Sequence, residues 1–177
     1  MTPFEIFIAY AKIRGIMPDL KKLENNNTKM YYDYDPSSGQ YKKLYTNFRG
    51  IFNSHFKANG FGNTLFVSLL YQYTDGGTIL RRDKVSYAHK RWLAFVRNNV
   101  KLDNGPKVGD TVKYKSWNQI YEGKISHICD DYSRIRVERG DNRIPQYISP
   151  GNIIEVNGKP LELSFHIKWK GKEYGKK

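Results

Sequence analysis

The stretch DKVSYAHKRWLAFVRNNVKLDNGP, residues 83–106, decides the fold, because a helical pattern ends in it and a strand pattern follows it. At about 100° per residue, the apolar side chains between Asp83 and Val100 gather on one side of a helix. That side contains Val85, His89, Trp92, Leu93, Val96 and Val100. The turn-forming residues at 103–106 then end the pattern, and we place a domain boundary there.

The opposite face of this helix carries cations and no acid. It contains Lys90, Arg91, Arg97 and Lys101, and Lys84 precedes them on the first turn. A solvated helix usually mixes charge signs, because pairs of opposite charge four residues apart stabilise it. A face of one sign suits a phosphate backbone, since bound lysines and arginines release counterions. The sequence therefore predicts a nucleic-acid contact here, against the alternative of an ordinary solvated surface.

Residues 1–103 are predicted to form a helical domain. Thr2, Pro3 and Glu5 mark a helix start, because threonine can cap, proline fits the first helical position, and a glutamate three residues after the cap closes a capping box. Gly15 offers a stop. The apolar spacing predicts further helices. The first of these begins at about Pro18, the second spans about 41–59, and the third spans about 63–73. An irregular loop is expected at 31–40.

After residue 106, short alternating runs replace the helical pattern. Ile135 and Val137, for example, alternate with charged neighbours, and Gly, Pro, Asn and Asp separate the runs. The predicted strands are 111–115, 122–128, 134–138, 145–149 and 153–156. Five strands of this spacing fit a small closed or nearly closed barrel. We therefore expect an α+β fold, with a helical N-terminal domain followed by a five-stranded β-barrel.

Three segments of this region, VGDTVKY (108–114), YEGKI (121–125) and RIRVE (134–138), resemble an SH3-like barrel of the KOW or Tudor type. Such modules often open with a Gly-Asp-x-Val strand and turn on a glycine before the second strand, a position that Gly123 occupies. The pattern departs from this at 116–119, where a glycine-containing loop is more usual. The resemblance implies a barrel over 106–157. Its partner would be RNA, DNA, a ribosome, a polymerase or a peptide.

The predicted barrel carries aromatic and arginine side chains that could form one surface. Trp117 and Tyr121 fall in its first long loop. The arginines on and after its third strand are Arg134, Arg136, Arg139 and Arg143. Guanidinium planes stack on bases and fork onto phosphates, so this set predicts a second nucleic-acid contact. The alternative is that Trp117 closes the open end of the barrel.

Residues 158–177 are predicted to be a basic C-terminal tail. Its candidate contacts are Lys168, Trp169, Lys170 and Lys172, followed by Tyr174, Lys176 and Lys177. Interleaved lysines and aromatic rings can grip phosphates while the rings stack on bases. A solubilising terminus without further function is the alternative.

The composition limits the partner and the compartment. The net charge is +13, with 39% hydrophobic and 27% charged residues, which favours a folded protein with an acidic partner. No apolar run reaches the roughly 18 residues of a membrane-spanning helix, and no secretory pattern opens the chain. One cysteine excludes an internal disulfide. We expect a protein of the cytoplasm that does not bind a membrane.

Catalytic patterns are sparse. Asp110, Glu122 and Lys124 fit the Asp…Glu-x-Lys spacing of metal-dependent nucleases, but the pattern is short enough to occur by chance. His55, Asn59, Asn63 and His89 weakly resemble an H-N-H arrangement. The sequence has neither a glycine-rich phosphate loop nor metal-ligand spacing, so we expect no cofactor and no metal.

Three hypotheses follow. The first is a non-enzymatic protein that binds DNA or RNA through the helix face, the barrel arginines and the tail. The abundance of Asn, Lys, Tyr and Ile is typical of AT-rich genes, and we expect a bacteriophage or mobile element as the source. The second hypothesis is an interaction or virion protein whose barrel docks a protein partner. The third is a metal-dependent nuclease.

Overall fold

Two hydrophobic cores organise the described parts of this α+β protein. A computed structural model describes residues 1–15, 31–35, 40–45, 48–63, 82–141 and 143–175. The helices are α1 (Pro3–Ile13), α2 (Phe48–Asn59) and α3 (Arg82–Asn99). The strands are β1 (Tyr31–Asp35), β2 (Gln40–Tyr45), β3 (Val100–Asn104), β4 (Thr111–Ser116), β5 (Gln119–Ile128), β6 (Ile135–Glu138), β7 (Gln146–Ile148), β8 (Ile153–Val156), β9 (Lys159–Pro160), β10 (Ser164–Trp169) and β11 (Lys172–Tyr174). No described helix is both long and apolar enough to cross a membrane.

The capping box predicted for α1 is confirmed. Thr2 Oγ1 accepts from the Glu5 amide at 3.3 Å, and Glu5 Oε2 accepts from the Thr2 amide at 2.8 Å. Gly15 ends the helical stretch with a φ of 62°, a left-handed conformation that glycine adopts without a Cβ clash. The N-terminal ammonium of Met1 donates to the Phe165 carbonyl at 2.6 Å, which ties the start of the chain to β10.

The first core is mostly aromatic and lies between the helices. Trp92 of α3 is fully buried, with its ring 5.3 Å from that of Phe7 and 5.7 Å from that of Phe61. Its indole N–H donates to the Phe61 carbonyl at 2.8 Å, so its one polar group is satisfied. The predicted amphipathicity of α3 is confirmed, because Trp92 and Val96 are buried, whereas Lys90 and Arg97 are exposed.

The segment predicted to be a tail instead contributes a strand to this first core. Strand β10 is the middle strand of a three-stranded sheet, in the order β11-β10-β3. Ile167 pairs with Val100, and Phe165 pairs with Leu102, all on antiparallel strands. Phe165 and Ile167 are fully buried. The alternation of apolar and polar residues over 164–169 is the physical reason, because it gives the strand one face for the core.

The N-terminal region also contains strand structure that the helical interpretation missed. Strands β1 and β2 form an antiparallel pair, with Tyr34 opposite Tyr41 and Asp33 opposite Lys42. The expected loop at 31–40 is therefore wrong in its first half, and the helix expected over 41–59 begins only at Phe48. Tyrosine favours strands, and this preference outweighed the turn-like composition. The helices expected near 18 and over 63–73 lie outside the described residues, apart from Asn63 itself.

The second core belongs to a six-stranded antiparallel sheet, in the order β7-β6-β5-β4-β8-β9. All five predicted strands are present within a few residues of their expected bounds. The expected closed five-stranded barrel is wrong, because the described strands form an open sheet with β7 and β9 at its edges. Strand β9 has two residues and ends at Pro160, which has no amide hydrogen to donate to another strand.

Gly123 does not form the turn that the SH3-like resemblance implies. It lies inside β5, opposite Val112 of β4. A Cβ at this position would stand 2.5 Å from Val137 Cγ1 and 2.8 Å from the Glu138 carbonyl oxygen. Glycine is therefore required here by the close approach of β6, and the pairing of β4 with β5 continues through this residue.

Candidate nucleic-acid interface

The outward face of α3 carries the cations that its periodicity predicts. Lys90, Arg91 and Arg97 are exposed, and the Arg91 guanidinium lies 5.5 Å from the ring centre of Tyr87. Tyr87 is 63% exposed, so this stack presents an arginine and an aromatic ring to solvent one helical turn apart. Lys84 also lies on α3, but its side chain is outside the part of the chain that the structure describes.

Lys101 belongs to β3 and not to the helix. Strand β3 follows α3 without a loop, and Lys101 pairs with His166 of β10. Both residues lie on the face of the sheet away from the first core, because Val100 and Ile167 occupy the other face. Lys168 follows His166 by two positions, so it shares this outward face.

The lysines of the predicted tail lie on an ordered hairpin. Lys168 and Lys172 belong to β10 and β11, and Lys170 with Gly171 forms the two-residue turn between them. The φ angles of 48° at Lys170 and 75° at Gly171 match the type I′ turn that fits the twist of paired strands. All three lysines are exposed.

Trp169 joins this hairpin to α3. Its ring centre lies 5.5 Å from that of Phe95, which follows Arg91 by one helical turn. The Lys170 ammonium lies 5.9 Å from the same indole ring. Trp169 is half-buried against the first core, and this contact positions the hairpin. Phe95 was missing from the predicted apolar face, although its spacing of three residues from Trp92 was a signal for it.

We call the cations of this unit the helix–hairpin surface. It comprises Lys90, Arg91, Arg97, Lys101, Lys168, Lys170 and Lys172. Residues 85–104 and 164–175 hold these seven cations and two carboxylates, Asp103 and Glu173. Asp103 Oδ1 is engaged by His166 Nδ1 at 2.6 Å. Within the described residues, no ion pair joins any of the seven cations to a carboxylate.

The arginines of the six-stranded sheet are arranged differently, because carboxylates compensate three of the four. Asp141 Oδ2 binds Arg139 at 3.0 Å and Arg143 at 3.1 Å. Arg136 lies 3.7 Å from Glu138 on the same strand. Arg134 is exposed just before β6, at the other end of that strand from Arg139.

Two residues of the predicted aromatic and arginine set, Tyr121 and Arg139, lie against each other. The Arg139 guanidinium stacks 4.3 Å from the ring centre of Tyr121, whose ring lies 5.9 Å from that of buried Tyr114. Burial raises the pKa of the Tyr114 hydroxyl. On β4, a hydrogen bond from Lys113 to Glu155 at 2.9 Å raises the pKa of that lysine. Four cations of this sheet region, Lys113, Arg136, Arg139 and Arg143, therefore have a carboxylate within ion-pair distance.

Trp117 stands apart from those aromatic residues. Trp117 and Asn118 form the turn between β4 and β5, since Ser116 pairs with Gln119. Trp117 has a φ of 57° and its side chain is 93% exposed. The alternative that it closes a barrel end is therefore wrong. A left-handed conformation costs a residue with a Cβ roughly 1–2 kcal/mol, so the turn holds this indole outward at some expense of stability.

The nuclease pattern is not assembled into a site. Asp110 Oδ1 accepts from Asn157 Nδ2 at 2.9 Å, and Asp110 Oδ2 accepts from the Lys107 amide at 2.8 Å. Glu122 pairs with Lys113, three residues along β4 from Asp110, which corresponds to about 10 Å of strand. Among the described residues, no group of three or more His, Cys, Asp or Glu side chains could hold a metal ion.

The residues that resemble an H-N-H arrangement support a turn. Asn63 Nδ2 donates to His55 Nδ1 at 2.9 Å, and His89 Nε2 donates to the Gly62 carbonyl at 2.9 Å. These bonds hold the 3-10 turn Gly60–Gly62 between α2 and α3. Their described role is therefore structural.

Comparison with known proteins adds no relative. No protein-family model, no curated protein and no solved structure matches this chain.

Proposed function

We propose that the protein binds nucleic acid, without acting on it as an enzyme, through the helix–hairpin surface. The observation that carries this proposal is the contrast in charge compensation between the two halves of the molecule. The helix–hairpin surface has seven cations against two carboxylates, with no ion pair to these cations among the described residues. Residues 106–161, which contain the six-stranded sheet, have nine cations against seven carboxylates, and four of those cations are ion-paired. Cations that lack an ion pair gain most from a polyanion, because no internal ion pair is broken on binding.

The direct connection between the elements that carry these cations supports the same proposal. Arg97 lies in the last turn of α3, and Lys101 follows on β3 with no intervening loop. Lys168 lies on the neighbouring strand on the same outward face as Lys101. Packing of Trp169 on Phe95 fixes the hairpin against the helix, so the backbone that carries these lysines is ordered before binding.

Charge neutralisation at matched positions tests the proposal. The triple variant R97Q/K168Q/K170Q removes three charges from the helix–hairpin surface. The control variant K107Q/K124Q/K159Q removes three exposed charges elsewhere and has the same net charge. Binding is measured by fluorescence anisotropy with a labelled thirty-nucleotide strand and a duplex of the same length. We expect the first variant to bind at least about tenfold more weakly, and the control to bind within about twofold of the native protein.

Equal weakening by both variants would show that only net charge matters, and would contradict a defined surface. An affinity of the native protein that does not change between low and moderate salt would contradict nucleic-acid binding itself.

The second candidate function is docking of a protein partner, such as a polymerase, ribosomal or virion component. The observation that favours it is the exposure of large apolar side chains at one edge of the six-stranded sheet. Tyr147 of β7 is 62% exposed, and Ile144, two residues before that strand, is 87% exposed. Size-exclusion chromatography with light scattering, after nuclease treatment, tests this candidate. A stable ring or a retained protein partner would favour it over the first.

A further inference from the structure

We infer that Trp117 is a stacking platform for an unpaired base, so that the preferred ligand is a single strand; this inference rests on the proposed function. The turn that carries Trp117 has only two residues, and its first residue adopts a φ of 57°. Glycine or asparagine is the usual solution at such a position. A tryptophan that is 93% exposed buries almost no apolar surface, so it does not stabilise the fold at this position.

The surroundings of the indole suit a nucleobase. Between Tyr114 and Tyr121 the chain contains one cation, Lys115, and no acid. Lys115 pairs with Ile120 across the hairpin, and both side chains are exposed beside the turn. An aromatic ring beside a cation is the combination that binds a base and its phosphate in single strands.

A second copy of this chain is disfavoured as the occupant, because each copy has a net charge of +13. A duplex is disfavoured as well, since its bases present their faces to each other and must be unstacked before the indole can reach one.

The position of the turn sets the length of strand required. Strand β5 runs from Gln119, beside Trp117, to Ile128, beside the loop whose Tyr132 packs on the first core. The nine residue steps along this strand correspond to about 30 Å. A ligand that touches both the helix–hairpin surface and Trp117 is therefore a strand of several nucleotides.

Replacement of Trp117 by glycine tests the inference without a penalty to folding. Because glycine adopts positive φ freely, W117G should unfold at the same temperature as the native protein or a higher one. W117N, which also tolerates this conformation, is a second variant. V108A removes another exposed apolar side chain, at the opposite end of β4, and is the control.

The binding probes are thirty-nucleotide oligothymidylate and a thirty-base-pair duplex. W117G and W117N should bind the single strand about five- to hundredfold more weakly, with duplex affinity within twofold of native. Trp92 is fully buried and Trp169 is half-buried, so acrylamide quenching of the native protein reports mainly on Trp117. Saturation with the single strand should remove most of this quenching.

Three outcomes would overturn the inference. Unchanged affinity of W117G for the single strand, with Trp117 still quenched, would refute base stacking and leave the proposed function standing. No binding of either probe by the native protein would refute both. A change in the sedimentation of the protein alone on substitution would assign Trp117 to a contact between copies.

Discussion

Gly60 lies directly against the backbone of Tyr132, so that a Cβ on Gly60 would overlap the carbonyl group of that tyrosine. The contact joins the turn after α2 to the loop between β5 and β6. In the same place, the Phe61 amide donates to the Asp131 carbonyl at 2.7 Å. The Tyr132 ring packs 5.3 Å from that of Phe165, within reach of the first core. The loop between β5 and β6 thus docks on the first core through a backbone-to-backbone contact that only glycine permits.

We expect G60A to destabilise the protein by at least about 3 kcal/mol, because the methyl group adds a backbone clash to the cost of a positive φ. Gly15 provides a matched control, since its φ is 62° against 60° at Gly60 and nothing lies within 4 Å of its Cβ position. G15A should therefore cost only the conformational part, about 1–2 kcal/mol. Urea unfolding monitored by circular dichroism measures both. Equal losses of stability in G60A and G15A would mean that the backbone at Gly60 and Tyr132 moves apart at little cost in free energy.

Tyr132 should make stability depend on alkaline pH. Burial, with a smaller effect of the nearby Asp130 carboxylate, raises the pKa of its hydroxyl to about 12 from an ordinary value of 10.0. The folded protein therefore retains a proton that the unfolded chain loses above pH 10. This stabilising contribution is complete below pH 10 and is lost as the pH rises towards 12, at no more than about 1.4 kcal/mol per pH unit.

Y132F keeps the ring and removes this titration. Urea unfolding of both proteins at pH 9.5, 10.5 and 11.5 should show the native protein losing stability faster than Y132F. Parallel curves would show that the hydroxyl ionises as easily in the folded protein as in the unfolded one.

Local patterns in the sequence predicted the elements whose partners lie nearby. The period of 3.6 residues located α3 to within about a residue at each end, and period-two alternation located all five predicted strands. The pairing of Val100 with Ile167 was not predictable in this way, because the two residues are 67 positions apart and nothing in their spacing encodes contact. The lysines that follow Ile167, at positions 168, 170 and 172, also dominated the composition of this segment, so a core strand was interpreted as a tail.

The candidate site was predicted in part for a similar reason. Helical spacing alone placed Lys90, Arg91 and Arg97 on one exposed face. Whether a cation is compensated depends on loop geometry, and Asp141 binds Arg139 and Arg143 because the chain turns there. Asp141 lies two positions from each arginine in the sequence, so an ion pair with either could have been predicted. The alternation of apolar and polar residues does not indicate such pairs.

Trp169 should couple the hairpin to α3, so its removal should affect both stability and binding. We expect W169A to cost about 2 kcal/mol, roughly half the cost of truncating a fully buried aromatic residue, because its ring is half-buried against Phe95. W169F, which retains a ring, should recover most of this loss. Urea unfolding measures the stability, and anisotropy with the labelled strand measures the affinity. Loss of stability with unchanged affinity for the labelled strand would show that the hairpin lysines are not part of the nucleic-acid interface.

The salt dependence of binding should report how many cations of the helix–hairpin surface contact phosphates. If all seven contacted a single strand, the logarithm of the association constant would fall with the logarithm of salt concentration with a slope of about −5. R97Q/K168Q/K170Q should reduce the steepness of that slope by about 2, because three contacts are lost. K107Q/K124Q/K159Q should leave it unchanged. Anisotropy titrations between 50 and 300 mM salt measure the slopes. An equal reduction of the slope in both variants would show that the phosphate contacts are spread over the whole molecule.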